Sequence, residues 1–170
     1  SHSVPVDFEA KFAELFRRGL FVDDTDRILE LAGKVVYFTD NCGEIVFDRL
    51  LVEFLHRHGA HVTLVVRDAP ILNDATVEDA EALGMSRFIE AIGTTGLGCE
   101  IGVRIQALPE AVADAFRSCD LVISKGMANY ESFSEYEDLP PIAYLMAAKC
   151  EPIAEDIGVP LGSLVAMLQE

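Results

Sequence analysis

Apolar and polar positions along the chain follow two rhythms, one helical and one extended. Residues 5–18 place Phe8, Phe12, Leu15 and Phe16 at helical spacing within a charged background, which predicts an amphipathic helix. Asp23-Asp24-Thr25-Asp26 then offers N-caps for a second short helix, Arg27 to Leu31. Lys34–Thr39 is a near-continuous apolar run, the pattern of a strand covered on both faces. A helix follows from Glu44 to His58, with Ile45, Leu50, Leu51, Phe54 and Leu55 available for its inner face, and Gly59 stops it. His61–Arg67 repeats the buried-strand pattern. Thr76–Leu83 reads as a helix capped by Asp74 or Thr76 and ended by Gly84. Ser86–Ile92 is expected as a short strand, residues 93–98 (Gly-Thr-Thr-Gly-Leu-Gly) as a flexible loop, and Pro109–Ser118 as a helix opened by proline. Asp120–Ser124 is a further buried strand, and a loop through Asn129, Tyr130 and Glu131 follows it. Pro141–Cys150 reads as a helix or a strand-to-helix transition, and a last short strand and helix close the chain.

Strand and helix thus alternate, which predicts an α/β fold with right-handed crossovers and a largely parallel sheet. The 170 residues are read as a single α/β domain, 1–170. Residues 1–3 read as a tag remnant, which removes His2 from the chemistry. Residues 4–33 form a short N-terminal helical segment, and 34–170 the core.

Composition narrows the function. Half the residues are apolar, as in a globular protein. The net charge of −16 repels nucleic acid and anionic membranes, so neither is an expected partner, and an anionic substrate would need a local cationic site. No apolar run is long enough to span a bilayer. The cysteines at 42, 99, 119 and 150 form no C-x-x-C pair, and Cys119 and Cys150 border apolar segments as buried thiols. A reducing, cytoplasmic location is the natural reading.

The candidate chemistry lies where strands end. Asp40-Asn41 closes the first core strand, at the sheet edge where open α/β folds bind ligands. A carboxylate beside a carboxamide oxygen suits a hard divalent ion such as Mg²⁺ or Mn²⁺, or else caps the helix that follows. Glu44 falls in that helix's first turn, matched to its dipole or available to orient water. Asn73-Asp74 repeats the theme one βα unit later, 34 residues after Asp40, with an Asx turn as the alternative. Lys125-Gly126 ends another strand. Lys125 is either a point charge for phosphate, aided by the Asn129 amide, or a surface lysine. The glycine loop 93–98 matches no nucleotide motif and could wrap an anion, act as a lid or simply connect. His56, His58 and His61 fall at the opposite sheet edge and read as surface residues. The acidic loop after the first core strand also permits a methyltransferase reading, weakened by its single glycine.

Three segments carry a resemblance. Thr39-Asp-Asn-Cys-Gly-Glu-Ile-Val-Phe-Asp48, Val65-Val-Arg-Asp-Ala-Pro-Ile-Leu-Asn-Asp-Ala-Thr-Val-Glu-Asp-Ala80 and Leu121-Val-Ile-Ser-Lys-Gly-Met-Ala-Asn-Tyr-Glu131 resemble the damage-control phosphatase family, long catalogued as domain of unknown function eighty-nine. Lys149–Ala154 and Gly158–Gly162 are similar to its C-terminal signature. The resemblance implies a Rossmann-like three-layer core and hydrolysis of phosphate monoesters of small metabolites, such as sugar phosphates or phosphopantetheine derivatives. It implies a divalent cofactor (Mn, Mg, Co or Ni) on Asp40, Asn41 and Asp74, with Lys125 at the substrate phosphate. The expected catalytic residues are Asp40, Lys125 and Glu44, and the expected substrate-binding residues Lys125, Gly126 and Asn129. The nucleophile is either metal-bound water or Asp40. Position 42 carries Cys where the family has a small residue, with a packing role expected. Family members carry a longer helical segment ahead of the first core strand than the 33 residues found here. The rival from another class is a non-catalytic phosphometabolite-binding domain.

Overall fold

A computed structural model describes residues 14, 17–70, 72–98 and 101–170. The predicted helix at 5–18 and Cys99 lie largely or wholly outside them. Among the described residues seven strands form one sheet: β1 (Val22–Asp23), β2 (Lys34–Phe38), β3 (His61–Val66), β4 (Ala91–Thr94), β5 (Leu121–Lys125), β6 (Ile142–Ala147) and β7 (Leu164–Gln169). Their order is β1-β7-β6-β5-β2-β3-β4, parallel except for the β6–β7 pair. Among the described residues six helices cover it: α1 (Thr25–Leu31), α2 (Ile45–Arg57), α3 (Val77–Ala82), α4 (Glu110–Ser118), α5 (Met127–Ser134) and α6 (Glu151–Asp156).

The period-two pleat of β2 shows why both faces are covered. Val35 and Tyr37 point into a core shared with Ile45, Val52 and Leu55 of α2 and with α1 and α3. Val36 and Phe38 point the other way, into a core with Phe116 of α4, Phe133 of α5 and Ile153 of α6. The three-layer α/β expectation is therefore met. From β2 the chain moves outward through β3 and β4, then returns through α4 to place β5 on the other side of β2. That reversal opens a crevice beyond the carboxyl ends of β2 and β5.

Several local expectations are corrected. Ser86–Ile92 is not a strand: a 3₁₀ turn at Met85–Arg87 comes first, and the strand is Ala91–Thr94. Gly93 and Thr94 of the expected loop thus belong to β4, paired with Val65 and Val66. The loop through Asn129, Tyr130 and Glu131 is helix α5, because Asn129, Tyr130 and Phe133 share a buried face that their mixed polarity conceals. Pro141–Cys150 is mostly strand β6, and the chain closes with helix and then strand. On α2, Ile45, Asp48, Val52 and Leu55 are buried, whereas Leu50 and Phe54 are exposed together with Val46 and Phe47. Cys119 and Cys150 are half-buried thiols, and Cys42 is exposed, so it fills no packing role. His56, His58 and His61 are at the surface as expected. Among the described residues no helix is long and apolar enough to cross a membrane.

Candidate active site

Asp40 and Asn41 leave β2 at the switch point, and the turn they enter is tied to the next crossover by backbone bonds. Asn41 and Asp74 form an isolated antiparallel bridge. Ala75 N–H donates to the Asp40 carbonyl (2.8 Å), and Cys42 N–H to the Asn73 carbonyl (2.7 Å). Neither carboxylate is used as a helix cap. Glu44 occupies the N-cap position of α2 without a side-chain cap bond, and only the backbone carbonyl of Asn41 serves that helix end. At α3, Thr76 is the N-cap and its N–H donates to Asp79 (2.8 Å), so Asp74 is spared. The capping alternatives thus account for none of the three side chains.

Instead they line a cavity of about 800 Å³ together with Glu44, Asn73, Lys125, Gly126 and Lys149. Asn41 Nδ2 donates to Asp40 Oδ2 (2.9 Å) and, more weakly, to Glu44 Oε1 (3.4 Å), which leaves the Asn41 amide oxygen available to a cation. Burial, then the nearby charges of Asp74 and Glu44, push the Asp40 carboxyl up to about 6. Crowded carboxylates with a raised affinity for a proton also suit a hard cation. The oxygen donor set Asp40, Asn41 and Asp74 therefore fits a divalent ion such as Mg²⁺ or Mn²⁺. Among the described residues no three His, Cys, Asp or Glu side chains form a ready cluster, so a cation held here would draw on the Asn41 amide oxygen as well.

Gly126 makes the close approach possible. Its φ of +79° lies in the left-handed region, and a Cβ there would fall on the Asp40 carboxylate. Gly126→Ala is expected to displace Asp40 and weaken Mn²⁺ binding about tenfold or more, as loss of a supporting contact at a metal site does. Calorimetric titration checks this, and unchanged affinity would disprove the close-approach argument.

Two site residues come to light only in three dimensions. Arg67, at the end of β3 and 2 % exposed, holds Asp74 Oδ2 through Nε (2.7 Å). Its other nitrogens donate to the Gly102 carbonyl and to Asn129 Oδ1 (3.0 Å). Asp48, buried on α2, accepts from Lys125 Nζ (2.7 Å). Position could have flagged both: Arg67 follows an apolar run directly, and Asp48 lies one turn beyond Glu44 on the same helix face.

The remaining expected residues divide. Lys125 lines the cavity, but its ammonium is shared between Asp48 and Glu44 (3.3 Å). Asn129 is fully buried and does not line the cavity. Its amide donates to the carbonyls of Thr39 (3.0 Å) and Lys125 (2.8 Å), so it braces two strand ends and has no hydrogen left for a substrate. Gly126 N–H is likewise engaged, by the Leu145 carbonyl (3.2 Å). The free backbone donors belong to the first turn of α5, where Met127 and Ala128 line the cavity. Lys149, on the same wall, makes no ion pair among the described residues. In the glycine loop Gly98 N–H donates to Asp68 Oδ2 (2.9 Å), and Gly96 lies against the Ala107 carbonyl.

The family model of the damage-control phosphatase ARMT1-like domain matches residues 1–165. The chain belongs to the damage-control phosphatase family. A relative from Archaeoglobus fulgidus named damage-control phosphatase is 46% identical over 95% of this chain. Damage-control phosphatase PH1575 from Pyrococcus horikoshii is 35% identical over 96% of it. The crystal structure of the Pyrococcus DUF89-family protein superposes with a TM-score of 0.85 at 33% identity, covering 98% of this chain and 59% of that one. The chain spans 57% of the length of each of these two curated relatives.

Proposed function

We propose that the chain carries the catalytic centre of a divalent-metal-dependent phosphatase acting on phosphate monoesters of small metabolites, in metabolite damage control. The observation that carries this reading is the convergence of Asp40, Asn41 and Asp74 at the sheet's switch point, all three free of capping duty. Such an ion, when bound, supplies Lewis-acid polarisation of the phosphoryl group. The protein's own groups do the rest. Lys149 and the first-turn amides of α5 offset charge on the phosphoryl oxygens, as cations and helix N-termini do. Lys125 faces the same oxygens while held by two carboxylates. Glu44, half exposed and within bonding reach of both Asn41 and Lys125, is placed to orient water. Sugar phosphates and phosphopantetheine-like esters fit the class. The family's name, damage-control phosphatase, favours this reading over a methyltransferase.

The test is release of phosphate from p-nitrophenyl phosphate by the chain, with Mn²⁺, Mg²⁺, Co²⁺ or Ni²⁺ and without metal. Metal-dependent turnover is expected. Binding of Mn²⁺ and phosphate without turnover would instead mark a phosphometabolite-binding module, and failure to bind the metal would overturn the reading. Lys149→Met should raise KM for the ester about tenfold with kcat changed far less, the signature of lost uniform binding. An unchanged KM would remove Lys149 from the site.

A further inference from the structure

Lys125 presents a problem that the site must solve. Its residue pair with Gly126 abuts the Asp40 carboxylate, and its charge is felt by Asp40. An ammonium on a flexible four-carbon stem would satisfy an acidic cluster by folding into it, as a built-in competitor for any cation. Asp48 prevents this. It sits on α2 one turn past Glu44, 2 % exposed and outside the cavity lining, and binds Lys125 Nζ at 2.7 Å. Tyr37, wholly buried in β2, donates its hydroxyl to the same Asp48 Oδ1 (2.9 Å). Both bonds fall on one oxygen, and buried Asp48 Oδ2 has no partner. A buried carboxylate left half-satisfied is costly and calls for a reason.

We infer that Asp48, locked by Tyr37, is a positioning residue that tethers Lys125 away from Asp40 and Asp74, so that their oxygens stay open to a divalent cation. Glu44 also accepts from the ammonium (3.3 Å). The tether lets one small site hold a cation receptor and a fixed cation side by side. The inference rests on the metal reading above.

The experiment is Mn²⁺ titration by calorimetry on three proteins: wild type, Asp48→Asn, and Asp48→Asn combined with Lys125→Met. Asp48→Asn should lose about tenfold or more in Mn²⁺ affinity, the range for residues that support metal ligands, because the released ammonium takes the place of the ion. The double variant, lacking the competitor, should regain at least wild-type affinity, a recovery that a merely structural defect would not show. Wild-type affinity in Asp48→Asn, or a double variant as weak as the single, overturns the tether. If the wild type itself binds no Mn²⁺, the metal reading falls and the tether with it. Should Asp48→Asn fail to fold, Tyr37→Phe carries the test. It keeps the charge pair but unlocks Asp48, and is expected to weaken Mn²⁺ by about fivefold, the worth of one hydrogen bond. Unchanged affinity in that variant would also overturn the tether.

Discussion

Asp40→Ala and Asp74→Ala should each reduce metal-dependent phosphate release by more than about a hundredfold, beyond the 10–100-fold that an outer-sphere partner is worth. Circular dichroism should show an intact fold for Asp40→Ala, which lies past the end of a core strand, whereas Asp74→Ala should stay folded but melt lower because it strands the buried Arg67 guanidinium. Activity within tenfold of wild type in either variant would sink the assignment. Asp40 adds a second, opposite effect. Its carboxyl titrates near 6 in the folded chain against an ordinary 3.8, because burial and then Asp74 and Glu44 disfavour its charge. A folded-state value above the unfolded one gives stability that is complete below about pH 4 and is lost as pH rises through 6. The metal-free protein should therefore lose Asp40's contribution across that window, and Asp40→Asn should flatten the loss while abolishing turnover. Thermal melts of both proteins from pH 4 to 7, with chelator and then with Mn²⁺, test the sign. A variant that melts below wild type at pH 7 without metal would contradict it.

Arg67→Met should be the most destabilising single change at the site. The guanidinium joins β3 to Asp74, to α5 through Asn129, and to the segment at Gly102. Its removal strands a largely buried carboxylate, with an expected cost of about 3–5 kcal/mol. Urea denaturation measures this, and a loss below about 1 kcal/mol, the scale of an exposed pair, would refute it. Arg67→Lys should recover little, since an ammonium cannot reproduce the planar fork that meets three partners at once. Combining Arg67→Met with Asp74→Asn should return part of the loss, because the stranded charge is gone.

Much of this arrangement could be read from residue order. The runs at Lys34–Thr39 and His61–Arg67 are apolar on both faces, so their burial and parallel pairing followed from pattern alone. The turns that line the cavity are visible because Asp-Asn and Asn-Asp interrupt those runs abruptly. The errors have physical causes. Helix α5 was hidden because its inward face uses Asn129 and Tyr130, polar groups buried only by virtue of partners far along the chain. Asn129 looks like a substrate donor for the same reason: its bonds to Thr39 and Arg67 are tertiary. Helix α2 was assigned too broad an inner face because Leu50 and Phe54 are as apolar as the residues that are buried. Whether Lys125 or Lys149 carries the freer charge depends on where Asp48 points, and periodicity alone does not report it.

That outer face of α2 bears on how the molecule behaves in solution. Val46, Leu50 and Phe54 form an oily strip on a strongly anionic body. At low ionic strength mutual repulsion keeps such strips from meeting. Added electrolyte shortens that repulsion to a few ångströms' range, and colloidal behaviour then passes from the carboxylates to the strip.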